Sequence, residues 1–174
     1  MQLFSFSAIS EADRLNLATT ESERTLVIER FFDAPRVLVF EVWTRPEHVT
    51  KWWGPNDFTL PFCEMDFRQG GRYRYCMRSP EGVDHWVWGE YREIVRPERI
   101  VMTWNREDAA GKLWSSTVAT LTFAEAGVKT AFTLHQSIFE TVEYRDQHNG
   151  GWTQCFDRLA SYVKLEWESR RGGS

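Results

Sequence analysis

An α+β fold, in which a curved antiparallel sheet of seven strands wraps one long C-terminal helix, is what this 174-residue sequence predicts. Two patterns carry the prediction. Between Thr25 and Ser137, runs that alternate apolar and polar residues are punctuated by turn signals, which reads as successive strands joined in a meander. Beyond them Trp152, Phe156, Leu159 and Val163 recur at spacings of three and four, which is the stripe of an amphipathic helix. That helix must bury its stripe, and the sheet is the only large apolar partner for it. A twisted sheet closing on one helix leaves a wedge between them, either filled by side chains or left as a cavity.

The elements follow in order. Residues 1–23 have weak periodicity and form an N-terminal extension, with a short helix expected near Ser10 to Leu17, where Ser10 and Asp13 offer start chemistry. Thr25 to Phe32 alternates and is β-branched, hence a strand. Asp33-Ala34-Pro35 supplies a helix start, with Asp33 as the expected cap and Pro35 in the first turn. Arg45-Pro46 interrupts, and a second short helix runs from Glu47 to about Trp53. Strands are expected at Phe58–Phe67, Gly71–Arg78, Asp84–Val95, Arg99–Arg106, Trp114–Ala124 and Val128–Ser137. The long helix starts at Val142 or His148 and reaches Trp167. Gly150 and Gly151 weaken its early turns, at about 1 kcal/mol for a glycine in a helix, or let its backbone approach the sheet closely. The folded domain is expected to span residues 24–168, with 169–174, including Arg170 and Arg171, as a flexible, solvated tail.

Composition narrows the function. Aromatic residues make up 15% of the chain, nine of them tryptophan, so the domain has either a very bulky core or an aromatic-walled cavity. A net charge of -4 argues against nucleic acid as a partner. Cys63, Cys76 and Cys155 are odd in number and lack metal-ligand spacing, so no metal or other cofactor is expected. With no secretory signal or long apolar run, a reduced cytoplasmic setting without membrane contact is the expectation.

The run Arg68-Gln-Gly-Gly-Arg-Tyr-Arg-Tyr75 is the most distinctive stretch. Its period of two puts Tyr73, Tyr75 and Met77 on the inner face and Arg72, Arg74 and Arg78 in water. The tyrosines either contact a ligand or pack under the long helix. On the strand from Asp84, Glu90 and Arg92 should stay wet, which turns His85, Val87 and Tyr91 inward and Trp86 and Trp88 outward. The two tryptophans then form either an exposed patch for a homodimer or another partner, or a surface covered by the N-terminal extension. Gly89 between large residues signals a bend or a close backbone approach. Trp104 shares a face with Ile100 and Met102 and is a wall or rim of the wedge. The candidate ligand cavity is therefore lined by Trp53, Tyr73, Tyr75, Met77, His85, Val87, Tyr91, Trp104, Trp152 and Phe156. His148 falls at its mouth, His135 on the outer face, and Glu64 and Asp66 are expected to pair with arginine. No nucleophile elbow, phosphate loop, dinucleotide fingerprint or zinc motif is present, and no catalytic residue is assigned.

Several short motifs also occur in a telling order. They are Arg30-Phe-Phe-Asp-Ala-Pro35, Thr44-Arg-Pro-Glu47, Trp52-Trp-Gly-Pro55, Asp66-Phe-Arg-Gln-Gly-Gly-Arg-Tyr73, Gly89-Glu-Tyr-Arg-Glu-Ile94, Pro97-Glu-Arg-Ile100, Thr103-Trp104, and Gly151-Trp152 with Asp157-Arg-Leu159. In that order and spacing, over roughly residues 25 to 166, the chain resembles proteins related to the activator of Hsp90 ATPase, within the START-related superfamily of polyketide cyclases and lipid-transfer domains. The resemblance implies a helix-grip fold with a cavity between the long helix and the seven-stranded sheet. That fold hosts unrelated activities, so the resemblance implies no shared chemistry. The chain departs from the eukaryotic co-activator in having only the residues before Thr25 where that protein carries a further domain. The expected function is binding of a hydrophobic or amphiphilic small molecule. The alternatives are a cyclase- or hydrolase-like enzyme in the same cavity, or an Hsp90-type chaperone partner.

Overall fold

A computed structural model describes residues 20–173, and the helix expected near Ser10 to Leu17 lies outside them. Strand β1 (Leu26–Phe32) is followed by two short helices, α1 (Arg36–Val42) and α2 (Pro46–Trp52). Six strands come next: β2 (Thr59–Met65), β3 (Arg72–Arg78), β4 (Asp84–Val95), β5 (Arg99–Glu107), β6 (Leu113–Ala126) and β7 (Lys129–Ser137). Helix α3 (Val142–Gly172) ends the fold. The sheet runs β1-β7-β6-β5-β4-β3-β2, each neighbouring pair antiparallel. This is the helix-grip arrangement: one curved sheet, one long helix lying across its concave face, and two short helices after the first strand.

The strands form where alternation predicts them. On β3 Tyr73, Tyr75 and Met77 are buried while Arg72, Arg74 and Arg78 are exposed. On β4 the same alternation buries Val87, Gly89 and Tyr91, until a bulge between Tyr91 and Glu93 shifts the register by one. Gly89 marks a close approach. A Cβ there would stand 2.0 Å from the Thr103 carbonyl oxygen and 2.8 Å from the Tyr73 ring. The Tyr73 hydroxyl uses that proximity and donates to the Thr103 carbonyl at 2.6 Å.

Three expectations about local chemistry need correction. Asp33 does not cap α1: the N-cap is Pro35, and Asp33 instead pairs with Lys129 at 2.7 Å across the β1–β7 edge. Gly150 and Gly151 do not bring the helix onto the sheet. A Cβ at Gly150 would meet nothing within 4 Å, and one at Gly151 would meet only Pro55 Cγ at 3.9 Å. The segment expected as a tail is helical through Gly172, because both Nη atoms of Arg170 hold the Glu41 carboxylate at 3.1 Å. Thr141 caps the other end of α3, accepting from the Tyr144 amide at 3.1 Å.

The core is aromatic. Trp43 sits at its centre, within 6.4 Å, ring to ring, of Trp52, Trp53, Phe123, Phe132, Trp152 and Phe156. The short helices α1 and α2 thus drive indole rings into the wedge between sheet and α3. They fill the half of the wedge that faces them, and they do not reach the half beneath the first turns of α3.

A cavity at the amino-terminal half of the long helix

A cavity of about 470 Å³ occupies that unfilled half. One wall is the loop after α2, with Trp53, Gly54, Pro55 and Phe58. The floor comes from the inner face of the sheet, with Met77, His85, Trp104, Arg106 and Trp114. The roof is α3, with Tyr144, Gln147, His148, Gly151, Trp152 and Cys155. One side opens to solvent beside Trp114, which is 50% exposed.

The loop wall is held by α3 itself. Arg158 Nη1 lies within 3.3 Å of four carbonyl oxygens, those of Trp53, Gly54, Pro55 and Phe58. Gln154 accepts from the Asn56 amide at 3.0 Å, and Cys155 Sγ from the Gly54 amide at 3.3 Å. Gly54 has φ +98°, a left-handed conformation that only glycine adopts cheaply. The Trp152 indole is fixed by a buried amide: Gln136 accepts from Trp152 Nε1 at 2.8 Å and donates to Thr117 Oγ1 at 2.8 Å.

Five residues expected at the cavity are brought together there: Trp53, Met77, His85, Trp104 and Trp152. Five others, Tyr73, Tyr75, Val87, Tyr91 and Phe156, do not line it. Trp53 stands in the way, 4.8 Å from the Tyr75 ring and 5.9 Å from Trp104, and seals the tyrosines into solid core. Behind it Tyr73, Tyr75 and Tyr91 stack on one another at 5.0 and 5.4 Å. Burial pushes their phenol pKa values up, and the hydroxyls stay protonated. Phe156 packs between Phe132 at 5.1 Å and Trp152 at 5.2 Å.

On the outer face Trp86 and Trp88 are half-buried. Arg74 lies over the Trp86 ring at 4.3 Å and Phe62 packs beside it at 5.4 Å, so strand neighbours cover part of that ring. Asp66 pairs with Arg68 at 2.8 Å, and Glu64 stands opposite Arg74 in the register. His135 is exposed on the outer face.

Sequence reasoning missed Arg106, Trp114 and Tyr144 as lining residues. Arg106 alternates inward with Trp104, a signal present in the strand pattern but overridden by the expectation that an arginine faces water. Trp114 and Tyr144 meet at 4.7 Å across the gap between sheet and helix, a contact that no local pattern reveals.

The electrostatics of the cavity are unusual for its size. Among the described residues no carboxylate lines it. His148 is buried, and burial, reinforced by the Arg106 charge, lowers its pKa to about 4. Its Nδ1 lies 3.1 Å from the Tyr144 carbonyl, so the neutral ring donates from Nδ1 and leaves Nε2 as a bare acceptor. Burial and Arg106 also lower the His85 pKa. The Cys155 thiol is pushed up to about 12 by burial, which keeps it un-ionised. Four buried polar atoms among the lining residues have no partner among the described residues: Trp104 Nε1, Arg106 Nε, the Tyr144 hydroxyl and His148 Nε2. Ser115 stands near the Tyr144 hydroxyl without making a hydrogen bond of ordinary geometry. Buried polar groups are nearly always paired, so four such atoms on the residues of one cavity set it apart from the core.

The fold and the roofed cavity define a START-type helix-grip domain. The sequence profile of the activator of Hsp90 ATPase homolog 1-like proteins matches residues 33–164, and the chain belongs to that family. No curated protein matches the chain. Solved structures of similar fold include an AHSA1 protein from Silicibacter pomeroyi, 23% identical with TM-score 0.76, where the match covers 82% of this chain and 99% of that one. A protein from Chromobacterium violaceum is 27% identical with TM-score 0.72, covering 80% of this chain and 96% of that one. A protein from Arthrobacter aurescens is 22% identical with TM-score 0.74, covering 84% and 89%. Among the described residues no helix is long and apolar enough to cross a membrane.

Proposed function

We propose that this domain binds an amphiphilic small molecule in the cavity under α3. The observation that carries the reading is the space itself: about 470 Å³, walled by Trp53, Trp104, Trp114 and Trp152 and open on one side. Ligand sites are concave, mainly apolar with a few polar groups, and span about 300–1,000 Å³. Burial of a ligand's apolar area, at roughly 25 cal/mol per Å², supplies affinity, and the orphaned polar atoms select among ligands.

The lining favours binding over catalysis. A general base works best with a pKa near the operating pH, and His148, at about 4, is a weak base at neutrality. The buried Cys155 thiol offers no thiolate, and among the described residues no carboxylate lines the cavity to act as acid or base. An Hsp90-type partner role, which the family name suggests, would need an exposed apolar surface, whereas Trp86 and Trp88 are both half-buried and Trp86 is partly covered by Arg74 and Phe62.

The test is a titration with aromatic and lipid-like compounds, charged and uncharged, followed by tryptophan fluorescence. Four of the nine tryptophans line the cavity, so occupancy must alter emission. A flat response across the whole panel would remove the basis for this reading.

A further inference from the structure

We propose that the molecule bound in this cavity carries a carboxylate headgroup and that Arg106 is its counterion. The inference rests on the cavity-binding reading above and adds the chemical class of the ligand.

Arg106 sits on the inner face of β5, opposite Ser115 of β6. Other arginines of the fold have partners. Arg30 pairs with Asp157 at 2.9 Å, Arg36 with Glu125 at 3.0 Å, Arg74 with Glu107 at 3.3 Å and Arg78 with Asp84 at 2.6 Å. Arg158 holds its four carbonyls. Arg106 makes no ion pair and no side-chain hydrogen bond among the described residues, and its Nε is buried without a partner.

The surroundings do not neutralise it. The ionisable groups that share the cavity are His85, Tyr144, His148 and Cys155, and each is uncharged at neutral pH. Among the described residues the cavity lining therefore holds one guanidinium, which stays protonated in proteins, and no negative charge. Taking a cation out of water without a partner is costly, and a charge-assisted bond from guanidinium to carboxylate is the strongest available relief. Trp104 Nε1 and the Tyr144 hydroxyl, both orphaned, are further donors in the same lining. Such a donor set suits an acceptor-only headgroup. One cation matches one negative charge, and the four tryptophans suit an apolar or aromatic body attached to it.

The experiment compares a matched pair of probes by isothermal titration calorimetry at neutral pH: 6-phenylhexanoate and its uncharged counterpart 6-phenylhexanamide. The expected result is that wild-type protein binds the carboxylate about tenfold or more tighter than the amide, as a hydrogen bond to a charged group implies. Arg106→Gln should erase that preference while leaving amide affinity within about threefold. Arg74→Gln, on the outer face, should keep it. Equal binding of both probes by wild-type protein would overturn the headgroup assignment and leave the cavity reading standing. Binding of neither would overturn both. A preserved preference in folded R106Q would overturn the role of Arg106. The wild-type comparison needs no variant, so it decides the headgroup even if R106Q fails to fold.

Discussion

Gly151 offers a way to close the cavity without weakening the fold. It lies on α3 at the cavity roof, and a Cβ added there meets only Pro55 Cγ, at an ordinary contact distance of 3.9 Å. In Gly151→Leu four carbons enter the cavity, and the helix gains roughly 0.7 kcal/mol of propensity. A guest that yields the space of four carbons loses about 0.8 kcal/mol of burial for each, or about 3 kcal/mol, which is about a hundredfold in affinity. Gly150→Leu is the control. It sits one residue earlier on the same helix, gains the same propensity, and its new Cβ meets nothing within 4 Å. Calorimetry with 6-phenylhexanoate and thermal melts of both variants make the comparison. Both should melt at or above the wild-type temperature, and only the Gly151 variant should lose binding. Binding by G151L within about threefold of wild type would mean that the ligand sits elsewhere.

Three further predictions concern what holds the cavity. His148 has a folded pKa of about 4 against an ordinary value of 6.5. The unfolded chain therefore binds the extra proton between these values, and the contribution of this residue is complete above about pH 6.5 and is lost as pH falls towards 4. Urea midpoints at pH 7 and 4.5 should show wild type losing roughly 2 kcal/mol more than His148→Gln, and equal losses would refute the assignment. Arg158→Met keeps the stem but removes the guanidinium from four carbonyls, of which, among the described residues, only that of Pro55 keeps a backbone donor, the Phe58 amide; it should cost roughly 2–3 kcal/mol and speed amide exchange in residues 53–58. Unchanged exchange there would mean the loop is held without it. Gly89→Ala places a methyl 2.0 Å from the Thr103 oxygen, so β4 and β5 must separate. A loss of about 3 kcal/mol or more in chemical denaturation is expected, and a neutral outcome would show the backbone yielding at no cost.

The strands were legible because alternation of Arg with Tyr on β3, and of Trp with His, Val and Gly on β4, encodes one wet and one dry face in sequence order. The strand bounds deviate by a few residues at most, where Phe58 and Phe67 turn into loops. The cavity was legible only in part. Its existence follows from a sheet gripping a helix, but its position depends on where α1 and α2 end. Trp43, Trp52 and Trp53 come from local sequence, yet the volume they fill is bounded by residues of β3, β5, β6, β7 and α3. Residues expected to line open space, such as Tyr75 and Phe156, became core for that reason. Arg106 was hidden by a rule that holds for most arginines and fails where a cavity supplies the solvent. The Gly150-Gly151 pair shows the converse: no close contact forced its composition.

The Arg158 staple has a consequence for how a guest comes and goes. With four main-chain oxygens bound to one guanidinium, the wall that carries Trp53 and Pro55 cannot swing away from α3 without breaking all of them together. A guest of the proposed kind would pass on the opposite side, where Trp114 and Tyr144 meet at 4.7 Å with their rings tilted by 59° and, among the described residues, no main-chain hydrogen bond ties them together. The chamber thus has a fixed back and an aromatic edge, and exchange of a guest of the proposed kind would be set by how often those two rings part.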